Sequence, residues 1–316
     1  MAGGVQAEVP APTDVEAATR FDLRPHFVVG RASRYQVWES RVMNTHVAGP
    51  GGERSAELSM TTEGVMLWRV DTVAEDGSAD CVIQIEHVTV TVVAPGSEPR
   101  VVDSREPGNE NDRMRRWLSA LVETPLRYRM NADGSVERFE SLDAIRAAMD
   151  SHRSNVNPSM FIEQASTLAT IPGAPADAVL GEAWERRMEW SRDFGGFPVL
   201  LDYQGKYALE RITPIAGIDI ATVRGDATLA GTSDTDRLPP NSPPLDMRIE
   251  AGHGTRRVMF DMVSREVVGR DNIEMVTLNV VMSIRGIAIT TRIEERIHSQ
   301  VLRTEEVDEQ GEEAGP

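Results

Sequence analysis

One cysteine, Cys81, in 316 residues excludes an intrachain disulfide and a thiolate zinc site. It stands in the apolar run Cys81-Val82-Ile83, the setting of a buried, unreactive thiol. Lysine is as scarce: Lys206 stands alone among the 33 basic residues, so nearly every cation is a guanidinium that stays protonated. That removes almost every candidate for a catalytic amine. Positive charge is short overall, with 33 Lys+Arg against 50 Asp+Glu and a formal charge of -17. No basic cluster with interleaved aromatics offsets this, which excludes nucleic acid as a partner. Aromatics make up 5% of the chain, too few for the stacking platforms of a glycan-processing site. No apolar run approaches the roughly 20 residues that a membrane-spanning helix needs, so no transmembrane segment is expected.

The chemistry-bearing motifs are missing too. There is no G-x-S-x-G elbow, no P-loop and no H-E-x-x-H. Gly252-His253-Gly254 lacks the third glycine of a dinucleotide fingerprint. Asn131, Asp133 and Ser135 alternate as in a calcium loop, but the twelfth position is Leu142 and not a glutamate. His26, His46, His87, His152, His253 and His298 are nowhere closer than 20 residues in sequence, so no local metal site is written. No catalytic residue, metal or cofactor is assigned.

What is present is long alternating strands. Arg34–Asn44 puts Tyr35, Val37 and Glu39 on one face, and Leu58–Val73 alternates around Val65 to Trp68. In Asp80–Val93, Cys81, Ile83 and Ile85 share one parity and Val88, Val90 and Val92 the other, which predicts a β-bulge at Glu86-His87. Val276, Leu278, Val280, Met282 and Ile284 alternate up to Arg285-Gly286. Ile287, Ile289, Ile293, Ile297 and Val301 then continue behind that tight turn. The other face of the second arm runs from Thr290 through His298 to Gln300 and must meet water, the mark of an antiparallel sheet. Asp133-Gly134 turns a further hairpin between Leu126–Met130 and Ser135–Phe139. Three helices are expected, at Asp112–Val122, Ser141–Met149 and Pro158–Leu168. The two halves echo each other: Gly30–Ser40 resembles Gly181–Ser191, each with a glycine opening a long strand.

These elements predict a mainly β fold. It is a curved antiparallel sheet or half-barrel, as one body or two linked lobes, with about three helices packed in the concavity. Residues 1–20 read as a disordered tail or signal remnant, since Val5-Gln6-Ala7 fits a small-residue cleavage site. Residues 21–170 form an N-terminal lobe with helices, 171–180 a linker, and 181–303 a C-terminal lobe. The acidic stretch 304–316 is a second tail. Gly231–Pro244, rich in Ser, Asp, Thr and Pro, reads as a long hairpin loop.

Several stretches resemble an uncharacterised family of exported bacterial β-rich proteins, a domain of unknown function. They are Phe27-Val28-Val29-Gly30 with Tyr35-Gln36-Val37-Trp38, Met130 through Val136, Ile171-Pro172 with Val179 through Trp184, Tyr207 through Ile212, and Phe260 through Val267. The resemblance spans about residues 21–303. It implies export, to the periplasm or cell surface, and a half-barrel architecture similar to that of periplasmic lipoprotein carriers. It carries over no catalytic residue.

The expected function is therefore non-enzymatic: an exported protein that holds an apolar small molecule or lipid in the half-barrel. Trp117, Leu121, Phe161, Val280, Met282, Ile289 and Ile293 are the candidates to line the cavity. The fourteen methionines suit such an irregular apolar space. The alternative is a structural or interaction module of a surface or secretion assembly, with a protein partner. A cytoplasmic location and a hydrolase built on scattered carboxylates are the remaining readings.

Overall fold

The computed structural model describes residues 19–106, 112–141, 168–171, 173–194, 197–234, 245–284 and 287–307. The strands in chain order are β1 (Arg20–Phe21), β2 (Ala32–Gly49), β3 (Gly52–Val73), β4 (Ala79–Val93), β5 (Arg100–Asp103), β6 (Leu126–Met130) and β7 (Val136–Phe139). They continue with β8 (Ala178–Val179), β9 (Ala183–Phe194), β10 (Phe197–Ile215), β11 (Ile218–Ser233), β12 (Leu245–Asp261), β13 (Glu266–Ile284) and β14 (Ile287–Val307). One helix, α1 (Arg113–Glu123), precedes β6.

Twelve strands make one antiparallel sheet in the order β7-β6-β4-β3-β2-β14-β13-β12-β11-β10-β9, with β5 also on β4. The order ends on β7 and β9, so the sheet is large and curved but not closed into a barrel. The strands are unusually long. The 22 residues of β3 reach about 70 Å at the ordinary strand rise. The N- and C-terminal halves of the chain follow each other in the same sheet, joined where β14 pairs with β2 from Thr290↔Ala48 to Val307↔Ala32.

Local sequence explains the register. In β4, Val65 faces His87 and Met66 faces Ile85, so Glu86 is the extra residue that the parity switch predicted. The β13–β14 hairpin closes with Ile284 opposite Ile287 across two residues, and Met282 opposite Ile289. At the β6–β7 turn, Gly134 takes φ +79 and the Asn131 amide donates to the Ser135 carbonyl. The echo between halves also has a structural counterpart. The amides of Gly30 and Gly181 donate to the carbonyls of Val70 in β3 and Leu209 in β10.

The helical expectation needs correction. Asp112 caps α1, its carboxylate accepting from the amides of Met114 and Arg115, and Leu118 and Leu121 bury against the inner face of the sheet with Ile85, Val90 and Val102. Among the described residues α1 is the one helix, so about three helices in the concavity are not borne out. Apart from their ends, the stretches expected at Ser141–Met149 and Pro158–Leu168 lie outside the described residues. The described segments that cover the inner face are irregular chain, because Pro25, Pro175 and Gly173 (φ +69) prevent helical continuation. Ala169 accepts from the Val267 amide, Thr170 donates to the Gly134 carbonyl, and the Gly173 amide donates to the Asp133 carbonyl. This segment thus ties β13 to the β6–β7 turn across the open side.

Three boundaries also move. β14 runs on to Val307 because Thr304 donates to the Arg34 carbonyl and Glu305 pairs with Arg34, so residues 304–307 belong to the sheet. Residue 20 and the described residues of 171–180 are likewise structured. β1 pairs with β8, and Leu23, Ile171, Ala174 and Ala178 join the core of the C-terminal half.

Candidate functional site

Burial alternates along much of the long strands, most cleanly in β4 and β11, and the registers assemble the buried parity into one inner face. The apolar side chains on it fall into two clusters. One gathers Tyr35, Met66, Trp68, Ile85, Leu118, Tyr128 and neighbours in the N-terminal half. The other gathers Leu201, Tyr203, Leu209, Met247, Phe260, Leu278, Val280 and neighbours in the C-terminal half.

The seven expected cavity residues divide between them. Trp117 and Leu121 sit with the first cluster; Val280 and Ile293 are in the second. Met282 and Ile289 face each other, half-buried, at the β13–β14 end of that second group. Phe161 lies outside the described residues. The structure therefore brings Val280, Met282, Ile289 and Ile293 together and holds Trp117 and Leu121 apart from them.

Between the apolar ends of the inner face runs a polar belt that alternation alone did not single out. One cross-strand row reads Trp184, Tyr207, Gly225, Arg256, Asn272, Ser299, Glu39 and Thr62 from β9 to β3. The next reads Arg186, Gly205, Ala227, Gly254, Glu274, Ile297, Arg41 and Met60. Arg270 and Glu295 flank these rows on β13 and β14. Arg256, Arg270, Asn272, Glu274, Glu295, Ser299 and Glu39 are all buried. Glu295 pairs with Arg41 at 3.4 Å, and Arg41 also reaches Glu39 at 3.9 Å. Charges out of water must be matched, so a belt of this kind is a demanding feature in an otherwise apolar face.

At the β9 end of the belt the floor is built by glycine. Any Cβ on Gly225 would lie 2.5 Å from the Tyr207 ring, and one on Gly205 would lie 2.7 Å from both tyrosine rings. The rings of Tyr203 and Tyr207 thus lie flat on bare backbone, and their hydroxyls meet at 2.8 Å. Trp184 stacks on Tyr207 with ring centroids 5.9 Å apart. Arg186 stands beside this pair, half-buried, its guanidinium pulled down to about 10 by burial, with the Tyr207 and Arg256 side chains acting next on it. Among the described residues no carboxylate or carbonyl accepts a hydrogen bond from it.

Three other constellations hold less. His87 Nε2 lies 3.3 Å from Asp103 and 3.0 Å from Thr89 Oγ1 beside the bulge, and Arg105 bonds the same carboxylate at 3.0 Å, so the group ties β4 to β5. His298 Nε2 contacts Asp271 at 2.7 Å on the outer face. A surface depression of about 440 Å³ lies by the β2–β3 turn, where His46 Nδ1 contacts Ser55 Oγ at 2.8 Å. Among the described residues no three His, Cys, Asp or Glu side chains are gathered as a metal ion requires. No described helix is long and apolar enough to cross a membrane.

No protein-family model and no curated protein sequence matches the chain. Solved structures that share its extended β content match at low identity. An outer membrane channel from Pseudomonas putida is 10% identical, with 93% of this chain and 100% of that one covered and a TM-score of 0.21. A DUF1329 family protein from Desulfovibrio piger is 9% identical over 82% and 83% of the two chains, at 0.16. A BenF-like porin from Pseudomonas fluorescens is 8% identical over 87% and 100%, at 0.20. These scores lie below the level of a shared fold, and none of the three lends this chain a function.

Proposed function

We propose that the protein is a non-enzymatic binder that holds an amphipathic small molecule on the inner face of its open half-barrel, in an exported setting. The observation that supports this best is the layout of that face: a polar belt with aromatic and guanidinium side chains, flanked by wholly apolar side chains. A ligand with one polar end and one apolar body matches that sequence of surfaces. Native mass spectrometry of the purified protein tests the reading. Co-purified or added amphiphile retained at one molecule per chain supports it; a chain that stays ligand-free with every amphiphile offered overturns it.

The alternative, an interaction module, has its own support. β9 ends the sheet and, among the described residues, pairs only with β10 along its 12 residues. Such an edge is a template for strand addition. Two copies of β9 set antiparallel about Met188 would bring Arg187 opposite Glu189. Sedimentation measurements test this. Arg187→Glu alone should weaken a dimer and the Arg187→Glu/Glu189→Arg double variant restore it; a strict monomer at high concentration rules the reading out.

A further inference from the structure

Three neighbouring turns at one end of the sheet carry branched aliphatic side chains where turns ordinarily carry polar ones. The β10–β11 hairpin turns at Ala216-Gly217, both at positive φ (52 and 84), and sets Ile215 opposite Ile218. The β12–β13 connection presents Val263, which is 77% exposed, and the segment before β2 presents Val28 and Val29 beside Gly30 (φ +81). Bonds between the turns place them side by side. The Met262 amide donates to the Asp219 carbonyl, and Arg31 Nη1 donates to the Ser264 carbonyl. Turn geometry does not call for these aliphatics. At the same end, the β3–β4 turn carries Glu75 and Asp76, and the β6–β7 turn carries Asn131 and Asp133.

We propose that this end of the sheet inserts shallowly into a zwitterionic lipid surface, with Val28, Val29, Ile215, Ile218 and Val263 entering it. The backbone of the projecting turns is satisfied within the protein, as a surrounding without water demands. The Val263 and Ser264 amides donate to the Asp261 carboxylate, the Arg265 amide to the Asp261 carbonyl, and the Arg31 amide to the Val28 carbonyl. Behind the turns the cations are matched: Arg265 with Asp22 at 2.6 Å, Arg31 with Glu266 at 3.3 Å and Arg303 with Asp261 at 3.1 Å. Asp219 adds a carboxylate next to Ile218, and the sequence after Val307 continues through Asp308, Glu309, Glu312 and Glu313. This negative charge repels an anionic surface, so the attraction is apolar. The five side chains together expose roughly 400 Å², about half of what each partner in a stable protein complex buries. They also stand on three separate projections, which suits a fluid lipid surface better than a second protein.

The test floats the full chain with vesicles of phosphatidylcholine, alone or with part of it replaced by phosphatidylglycerol. The chain should float with phosphatidylcholine equally well at low and high salt, and no better once phosphatidylglycerol is present. The Val29→Ser/Ile215→Ser/Val263→Ser variant should lose about tenfold or more in partition. Leu200→Ser/Val281→Ser, at exposed aliphatics toward the opposite end, should leave partition unchanged. A fluorophore on Val263→Cys reads insertion directly, because Cys81 is buried and stays unlabelled. Nitrobenzoxadiazole there should brighten and shift to the blue with vesicles, and at Ser97→Cys, in a turn of the opposite end, it should not. No flotation with phosphatidylcholine, flotation that the triple variant retains, or an unchanged label at Val263→Cys overturns the inference. So does binding that requires phosphatidylglycerol and disappears with salt. A dimer in sedimentation that the triple variant abolishes, without vesicle binding, overturns it in favour of a second copy of the chain.

Discussion

Glu295 shows what a single side chain decides. It stands between Ile293 and Ile297 on the buried parity of β14, with its side chain 1% exposed, and pairs with Arg41. Removing Glu295 leaves the half-buried Arg41 with only the more distant Glu39, at 3.9 Å, to match its charge. Glu295→Leu should lower the unfolding free energy by about 3–5 kcal/mol, and adding Arg41→Leu should return much of it, as measured by urea denaturation of both variants. Trp68 Nε1 donates to the Tyr128 hydroxyl at 2.9 Å with both rings buried. Tyr128→Phe strands that donor and should cost about 1–3 kcal/mol in the same assay. Cys81 is 1% exposed, and burial, with Asp80 and Asp71 behind it, pushes its thiol far above the usual range. A thiol reagent should therefore label it only as fast as the chain unfolds. Labelling at the rate of a free thiol under native conditions would contradict its placement.

Among the elements, β4 shows how much of the fold is written in alternation. Its change of parity at Glu86-His87 is visible in the residues, and the bulge falls there. Without Glu86 the strand loses the residue that keeps both of its ends facing inward, so Val88, Val90 and Val92 would turn to solvent. Deletion of Glu86 should abolish cooperative thermal unfolding, a sharper effect than Glu86→Ala, which keeps the count. The β13–β14 hairpin, the β6–β7 turn and α1 are legible for the same reason: each is set by neighbours in sequence. The belt is not. Arg186 and Arg256 lie on strands 70 residues apart, and only the β9-β10-β11-β12 order places them on one row system. A lone polar residue within an apolar stripe, such as Glu295 or Asn272, reads in sequence as an interruption. Which strands stand side by side, and so whether interruptions line up, is long-range information that alternation does not contain. The same limit applies to the linker around Gly173: its place in the chain is legible, but the bond from the Gly173 amide to the Asp133 carbonyl that carries it across the open side is not.

For the whole molecule, the excess of carboxylates governs how stability responds to acid. Arg105 bonded to Asp103, Arg100 bonded to Asp112, Arg187 bonded to Asp202 and the Thr72 hydroxyl bonded to Asp80 each hold a carboxyl below its ordinary value of 3.8. A group depressed in the folded state stabilises it above the unfolded value and loses that contribution as the pH falls toward its own. Stability should hold from neutral pH to about 5, helped as the -17 charge is relieved, and then fall below about 4. Urea midpoints across that range check the sign; a midpoint that rises steadily to pH 3 would contradict it.

The proposed ligand lies on the inner face, which carries Trp184, whereas Trp38 stands on the outer face beside His298. A bromine-labelled hexadecanoate, whose halogen quenches only nearby indoles, reads the position of a bound chain directly. Bound on the inner face, it should quench tryptophan fluorescence in a way that Trp184→Phe largely removes and Trp38→Phe leaves intact. Quenching that survives in Trp184→Phe and disappears in Trp38→Phe, or no quenching in the unaltered protein, would contradict it.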